Sequence, residues 1–168
     1  MAEEVERAVV VLPRRNARIE GFRRDFDPLA GAIPAHVTLV YPTPLDLTWA
    51  CAAMSRSARG RVPFEYAFSE PEVVEDEYLF LLAQRGAEEI RDLHEDLYRL
   101  LDRPLPEVFR PHVTIARTAD AGRLVAARSA ALAGGLHLAG TAAALCLFRV
   151  EDPGRLVREL VVPFTARG

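Results

Sequence analysis

The chain has 168 residues, half of them apolar and 27% charged, with a formal net charge of −3. This is the composition of a folded chain with a real hydrophobic core, and the negative balance excludes a protein that coats nucleic acid through charge alone. All 21 basic residues are arginine, so a catalytic lysine, a Schiff base and a lysine-dependent phosphate loop are excluded, whereas a small site for one phosphate is not.

In chain order, the acidic start Met1-Ala2-Glu3-Glu4-Val5-Glu6 leads into an apolar run at 8–12 that is too short for a signal peptide or a membrane span. Residues 6–12 predict a buried strand stopped by Pro13. Residues 14–29 carry Ile19, Phe22, Phe26 and Leu29 at helical spacing, with Pro28 near the end. Residues 36–41 predict a strand closed by Pro42, and 47–59 a helix capped by Asp46 and stopped by Gly60. At 62–69, Phe64, Tyr66 and Phe68 alternate with Glu65, Ala67 and Ser69, a strand pattern. Residues 77–84 predict another buried strand.

Residues 87–101 give the clearest helix, with Ile90, Leu93, Leu97 and Leu101 on one stripe. Strand 111–116, helix 120–132 ended by Gly134-Gly135, and strands 136–138 and 142–150 follow. Asp152-Pro153-Gly154 predicts a turn, and 156–164 the last strand. Cys51 and Cys146 form no CxxC and are read as reduced thiols. The chain is read as cytoplasmic.

The order repeats: strand, helix, strand, helix, strand in each half. The expected fold is one α+β domain over 1–168, bilobal and pseudo-twofold, with two antiparallel-rich sheets and outer helices around a central cleft. Its lobes are placed at about 1–75 and 76–168, with exchange of terminal strands allowed.

One pattern marks both halves. Residues 34–42 read PAHVTLVYP and residues 110–117 read RPHVTIAR, their histidines 112 − 36 = 76 residues apart. Alternate residues of a strand share a face. His36 and Thr38 therefore oppose Val37 and Leu39, and His112 and Thr114 oppose Val113 and Ile115. Each strand offers an imidazole and a hydroxyl roughly 7 Å apart at their Cα atoms. A twofold that joins the strands would gather two imidazoles and two hydroxyls in one cleft.

That set suits phosphodiester chemistry. One imidazole takes a proton from the nucleophile and the other gives one to the leaving oxygen. The threonine hydroxyls bond the non-bridging oxygens, where charge gathers. A metal site is weighed and set aside: threonine is a poor ligand, and no HxH, HExxH or CxxC accompanies the histidines. No cofactor is expected. The competing structural reading is that HxT recurs by chance, and it weakens with two copies at a half-chain separation.

The motifs His36-Val37-Thr38-Leu39 and His112-Val113-Thr114-Ile115 resemble the paired signatures of the 2H phosphoesterase superfamily. Their surrounding wording is similar to its 2′-5′ RNA ligase-like and cyclic phosphodiesterase branch. The resemblance implies a bilobal α+β fold and metal-independent hydrolysis of 2′,3′-cyclic phosphates or 2′-5′ linkages. It also implies His36 as proton donor and His112 as proton acceptor, which the residues themselves do not order.

Arg117 is a further candidate for substrate phosphate, with a solvated arginine as the alternative reading for it and for Arg110. Tyr41, Trp49 and Phe109 are candidates for stacking a base, against core packing. His94 reads as a partly buried structural histidine. His137, flanked by Leu136 and Leu138, has no threonine two residues on. The acidic group Glu70, Glu72, Glu75, Asp76 and Glu77 reads as a solvated connection between lobes. The expected partner is a nucleotide or RNA terminal phosphate, with no membrane and a monomeric protein. The alternatives are a binding module that uses the same cleft without turnover, and a phosphoesterase acting on a non-nucleotide diester.

Overall fold

A computed structural model describes residues 5–151 and 155–166; the turn expected at Asp152-Pro153-Gly154 lies outside them. The chain runs β1 (Val5–Val11), α1 (Ala17–Phe26), β2 (Val37–Leu45), α2 (Leu47–Ala58), β3 (Phe64–Val74), β4 (Tyr78–Arg85), α3 (Ala87–Leu100), β5 (His112–Arg117), α4 (Ala121–Ala133), β6 (Leu138–Ala142), β7 (Ala144–Glu151) and β8 (Arg155–Pro163). The strands form two four-stranded antiparallel sheets, ordered β2-β1-β7-β8 and β5-β4-β3-β6. The fold is the expected α+β arrangement of two sheets with helices.

The helices begin where the sequence offers side-chain acceptors. Asn16, Asp46 and Asp120 each accept from backbone N–H groups of the first turn. α1 stops at Phe26, short of the expected residue 29. The residue before a proline is pushed out of the helical region, and Asp27, ahead of Pro28, is extended at φ −121° and ψ 115°. α3 begins at Gly86, which sits at φ +77°; a Cβ there would lie 2.6 Å from the Glu65 carbonyl oxygen, so the turn into the helix requires glycine.

One core face of each sheet and the helix stripes share a single apolar cluster. It includes Val9, Val37, Leu39 and Leu147 of one sheet, Leu79, Leu81, Val113 and Ile115 of the other, and Ile90, Leu93 and Leu97 of α3. Burying each large side chain stabilises the fold by about 1.5–3 kcal/mol. The opposite face of the first sheet carries a smaller cluster of Ala8, Val10, Ile33, Cys146 and Phe148. Cys51 and Cys146 are both free thiols.

Two expectations need correction. The first sheet joins 5–45 to 144–163, and the second spans 64–142. A division at 75 and 76 would cut the turn between paired strands β3 and β4, so the lobes do not part there. The acidic group is no connection between lobes. Glu70 and Glu72 lie in β3 opposite Leu82 and Phe80, and Glu75 and Asp76 form the turn. Pairing with β4 supplied the backbone partners that an isolated acidic run lacks. Both turn residues hold positive φ, 54° and 52°, as a tight hairpin demands.

Helix packing crosses between the halves. α3, which leads into β5, packs on β2, and α1, which leads into β2, packs on β5. β2 and β5 are edge strands of different sheets and touch one another. This reciprocal arrangement sets the two HxT strands side by side.

Candidate active site

A cavity of about 590 Å³ lies between the sheets, lined by His36, Thr38, His112 and Thr114 together with Tyr41, Tyr78, Phe80, Arg110 and Arg117. The expected faces are those observed. Val37, Leu39, Val113 and Ile115 are at most 1% exposed and belong to the core, while both histidines and both threonines line the cavity.

Each imidazole is fixed by a local contact. The Nδ1 atom of His36 lies 2.9 Å from the carbonyl oxygen of Pro34, and that of His112 lies 2.6 Å from that of Arg110. A carbonyl only accepts, so Nδ1–H donates in both rings and Nε2 is left as the basic nitrogen. His137 makes the same contact to Gly135 at 3.1 Å, but it is exposed, precedes β6 and lines no part of this cavity. The contact alone therefore does not mark a site; two such rings in one cavity do.

The two rings differ in surroundings. His112 stacks on Phe80, with centroids 3.6 Å apart and planes 12° from parallel. Burial pushes its pKa down to about 4, aided by the charges of His36 and Arg110 and opposed by the Arg110 carbonyl bond. Burial also lowers the pKa of His36, and Arg23 adds to this. The Pro34 carbonyl and the carboxylates of Asp27 and Glu20 oppose it.

A buried network holds the approach to His36. Arg23 is 1% exposed. It donates to Asp27 and Glu20 and, at 2.9 Å, to the Ile33 carbonyl, while Glu20 accepts from the Ala35 N–H at 2.8 Å. The charges are paired, and each carboxylate accepts a further backbone bond, as burial requires.

Strand register explains how the residues beyond the motifs reach the cleft. Val9 and Val10 face Val40 and Thr38, so Leu39 is an extra residue in β2. Leu79 and Phe80 face Ala116 and Thr114, so Ile115 is an extra residue in β5. Each bulge falls at the same place after HxT. Unbroken alternation from His36 would turn residue 41 to the core, and from His112 would do the same to residue 117. Instead Leu39 and Val40 are both fully buried, as are Ile115 and Ala116, and Tyr41 and Arg117 line the cavity. Arg117 donates through Nε to Glu77 at 2.8 Å and lies over the Tyr78 ring at 5.3 Å. Arg110 forms a two-point pair with Glu72.

Trp49 and Phe109 are not among the residues that line the cavity. Trp49 is 40% exposed under Arg103. Phe109 packs flat on His94, centroids 3.7 Å apart, so its aromatic face is taken by the core. His94 is itself 1% exposed, more buried than expected. Sequence reasoning missed Phe80 and the Arg23 network. Phe80 was within reach, because in the run 77–84 its neighbours Leu79 and Leu81 take the core face. The spacing of Glu20, Arg23 and Asp27 on a helix was also visible, but not that loop 27–35 would bury it. No cluster of three metal-ligating side chains occurs among the described residues.

The family model for the 2′-5′ RNA ligase superfamily matches residues 11–153. The chain belongs to this superfamily of 2H phosphoesterases. Membership supports a phosphoesterase or RNA-processing function. Solved structures agree in fold. Escherichia coli LigT complexed with 3′-AMP is 15% identical with a TM-score of 0.63, covering 97% of this chain and 99% of that one. LigT complexed with NADP+ is 16% identical with a TM-score of 0.62 and the same coverage. Usb1 of Kluyveromyces marxianus is 14% identical with a TM-score of 0.58, covering 97% and 100%. No curated protein matches the chain by sequence. Among the described residues no helix is long and apolar enough to cross a membrane.

Proposed function

We propose that this protein is a metal-independent phosphoesterase that hydrolyses 2′,3′-cyclic phosphates or 2′-5′ phosphodiesters of nucleotides or short RNA ends. The single observation that carries the reading is the convergence of both imidazoles and both threonines on one cavity. In the proposed reaction, Nε2 of neutral His112 takes a proton from water. The water oxygen bonds to phosphorus, the bond from phosphorus to the leaving ribose oxygen breaks, and His36 gives that oxygen its proton. The electrostatics support this order. Burial disfavours the charged form of both rings. At His36 the Pro34 carbonyl, Asp27 and Glu20 work against burial and Arg23, whereas at His112 only the Arg110 carbonyl opposes burial, His36 and the Arg110 charge. An entering phosphate anion favours the imidazolium at either ring. Thr38, Thr114 and Arg117 would hold the non-bridging oxygens.

The cleft carries Arg110 and Arg117, each already paired with a glutamate. That suits one phosphate on a small nucleotide or a short end better than a long polyanion. The test is turnover of a panel of cyclic and linear phosphodiesters in the presence of a chelator. Hydrolysis of 2′,3′-cyclic nucleotides, lost in His36→Ala and in His112→Ala, is expected. Binding of nucleotides with no product would replace this reading with that of a sensor built on the same cleft.

A further inference from the structure

β2 is an edge strand, so the backbone groups on its outer side have no partner in the sheet. Two of them, on either side of Val40, are bonded by side chains of α3. The Nδ1 atom of His94 lies 2.7 Å from the Leu39 carbonyl oxygen, and the Tyr41 N–H donates to the Tyr98 hydroxyl at 3.3 Å. Leu39 is the extra residue of the bulge and Tyr41 the residue that the bulge turns into the cleft. Among the described residues, no side chain bonds the backbone of β5 around Ile115 in this way.

The His94 ring is costly to keep. It is 1% exposed, and its Nε2 has no partner among the described residues. Phe109 covers one face at 3.7 Å and Tyr98 lies against it at 4.8 Å. Only the Nδ1–H bond to Leu39 gives a polar group its use at that place, since an aliphatic residue would fill the space without an orphaned nitrogen.

We propose that His94 and Tyr98 are positioning residues of the active site: they lock the bulge of β2, and through it aim Tyr41 at the substrate and fix Thr38. The proposal rests on the phosphoesterase reading for its kinetic part alone. In it, Tyr41 contacts the part of the substrate beyond the reacting phosphate. Loss of the Tyr98 hydroxyl therefore raises KM, whereas loss of the His94 donor displaces Thr38 and lowers kcat.

The experiment combines amide hydrogen exchange at Tyr41, followed by NMR, with kinetics on adenosine 2′,3′-cyclic phosphate. Tyr98→Phe is expected to speed exchange of the Tyr41 amide by about tenfold or more and to raise KM by roughly 3- to 10-fold. It should add nothing further in a Tyr41→Ala background, the mark of two residues acting as one. His94→Leu is expected to lower kcat about tenfold, with most of the loss restored by His94→Asn, whose amide can donate to the same carbonyl. Unchanged exchange in Tyr98→Phe, or losses that simply add to those of Tyr41→Ala, would overturn the proposal. If His94→Leu does not fold, Tyr98→Phe and His94→Asn decide. If the wild-type protein turns over no cyclic phosphate, the phosphoesterase reading falls, and the exchange rates still decide whether the brace exists.

Discussion

The two HxT strands carry the same motif and the same bulge, yet the fold supports them by different means. The segment at His36 is held by buried and half-buried polar bonds: Arg23 to the Ile33 carbonyl, Glu20 to the Ala35 N–H, and His94 and Tyr98 to β2 itself. The segment at His112 is held by an aromatic stack on Phe80 and by exposed ion pairs of Arg110 with Glu72 and Arg117 with Glu77. A near-symmetric site is thereby made chemically unequal. Two carboxylates paired with the Arg23 guanidinium stand near one ring, and the apolar Phe80 ring with Arg110 stands near the other. Pseudo-symmetry in sequence thus fixes where two imidazoles lie, while packing gives each its own surroundings.

The largest expected effect tests the shared part of that comparison. His36→Ala and His112→Ala should each lower turnover of a 2′,3′-cyclic nucleotide by roughly 10²–10⁴, read from initial rates. Near-normal turnover in either variant would end the acid–base pair. The next contrasts the two supports. Arg23→Leu leaves Asp27 and Glu20 buried without their partner and should destabilise the fold by about 3–5 kcal/mol in denaturant unfolding. Arg110→Leu removes an exposed pair and should leave the unfolding midpoint almost unchanged. Equal losses would erase the distinction.

A third prediction concerns the stack. Phe80→Ala admits water to His112, weakens the burial that lowers its pKa, and should move the acid limb of the kcat/KM profile to higher pH. A limb that stays in place would show that His112 is not the base. The same ring links pH to stability. With a folded pKa of about 4 against 6.5 in the unfolded chain, His112 takes up its proton first in the unfolded state. Its penalty is absent above 6.5 and grows as pH falls toward 4. His112→Gln should therefore melt higher than wild type at pH 5 by more than it does at pH 7.5. The smallest effect lies in the β3–β4 turn, where Asp76→Gly should relieve positive φ and stabilise by roughly 0.5–1 kcal/mol, measured by thermal melts.

Much of this was readable residue by residue. The alternation of His36, Thr38, His112 and Thr114 against Val37, Leu39, Val113 and Ile115 follows from the geometry of any strand. The stripe of Ile90, Leu93 and Leu97 follows from the helix repeat, and the caps at Asp46 and Asp120 follow from side-chain chemistry. These are local matters, settled within a few positions along the chain. The bulges at Leu39 and Ile115 were not readable, because an extra residue exists only relative to a partner strand. Without them, Tyr41 and Arg117 would face the core. Nor could the motif spacing reveal that β7 and β8 return to the first sheet, that Phe109 would spend its face on His94, or that Arg23 would be buried. Each of these depends on contacts between residues far apart in the chain, and only packing the whole chain together brings them into reach.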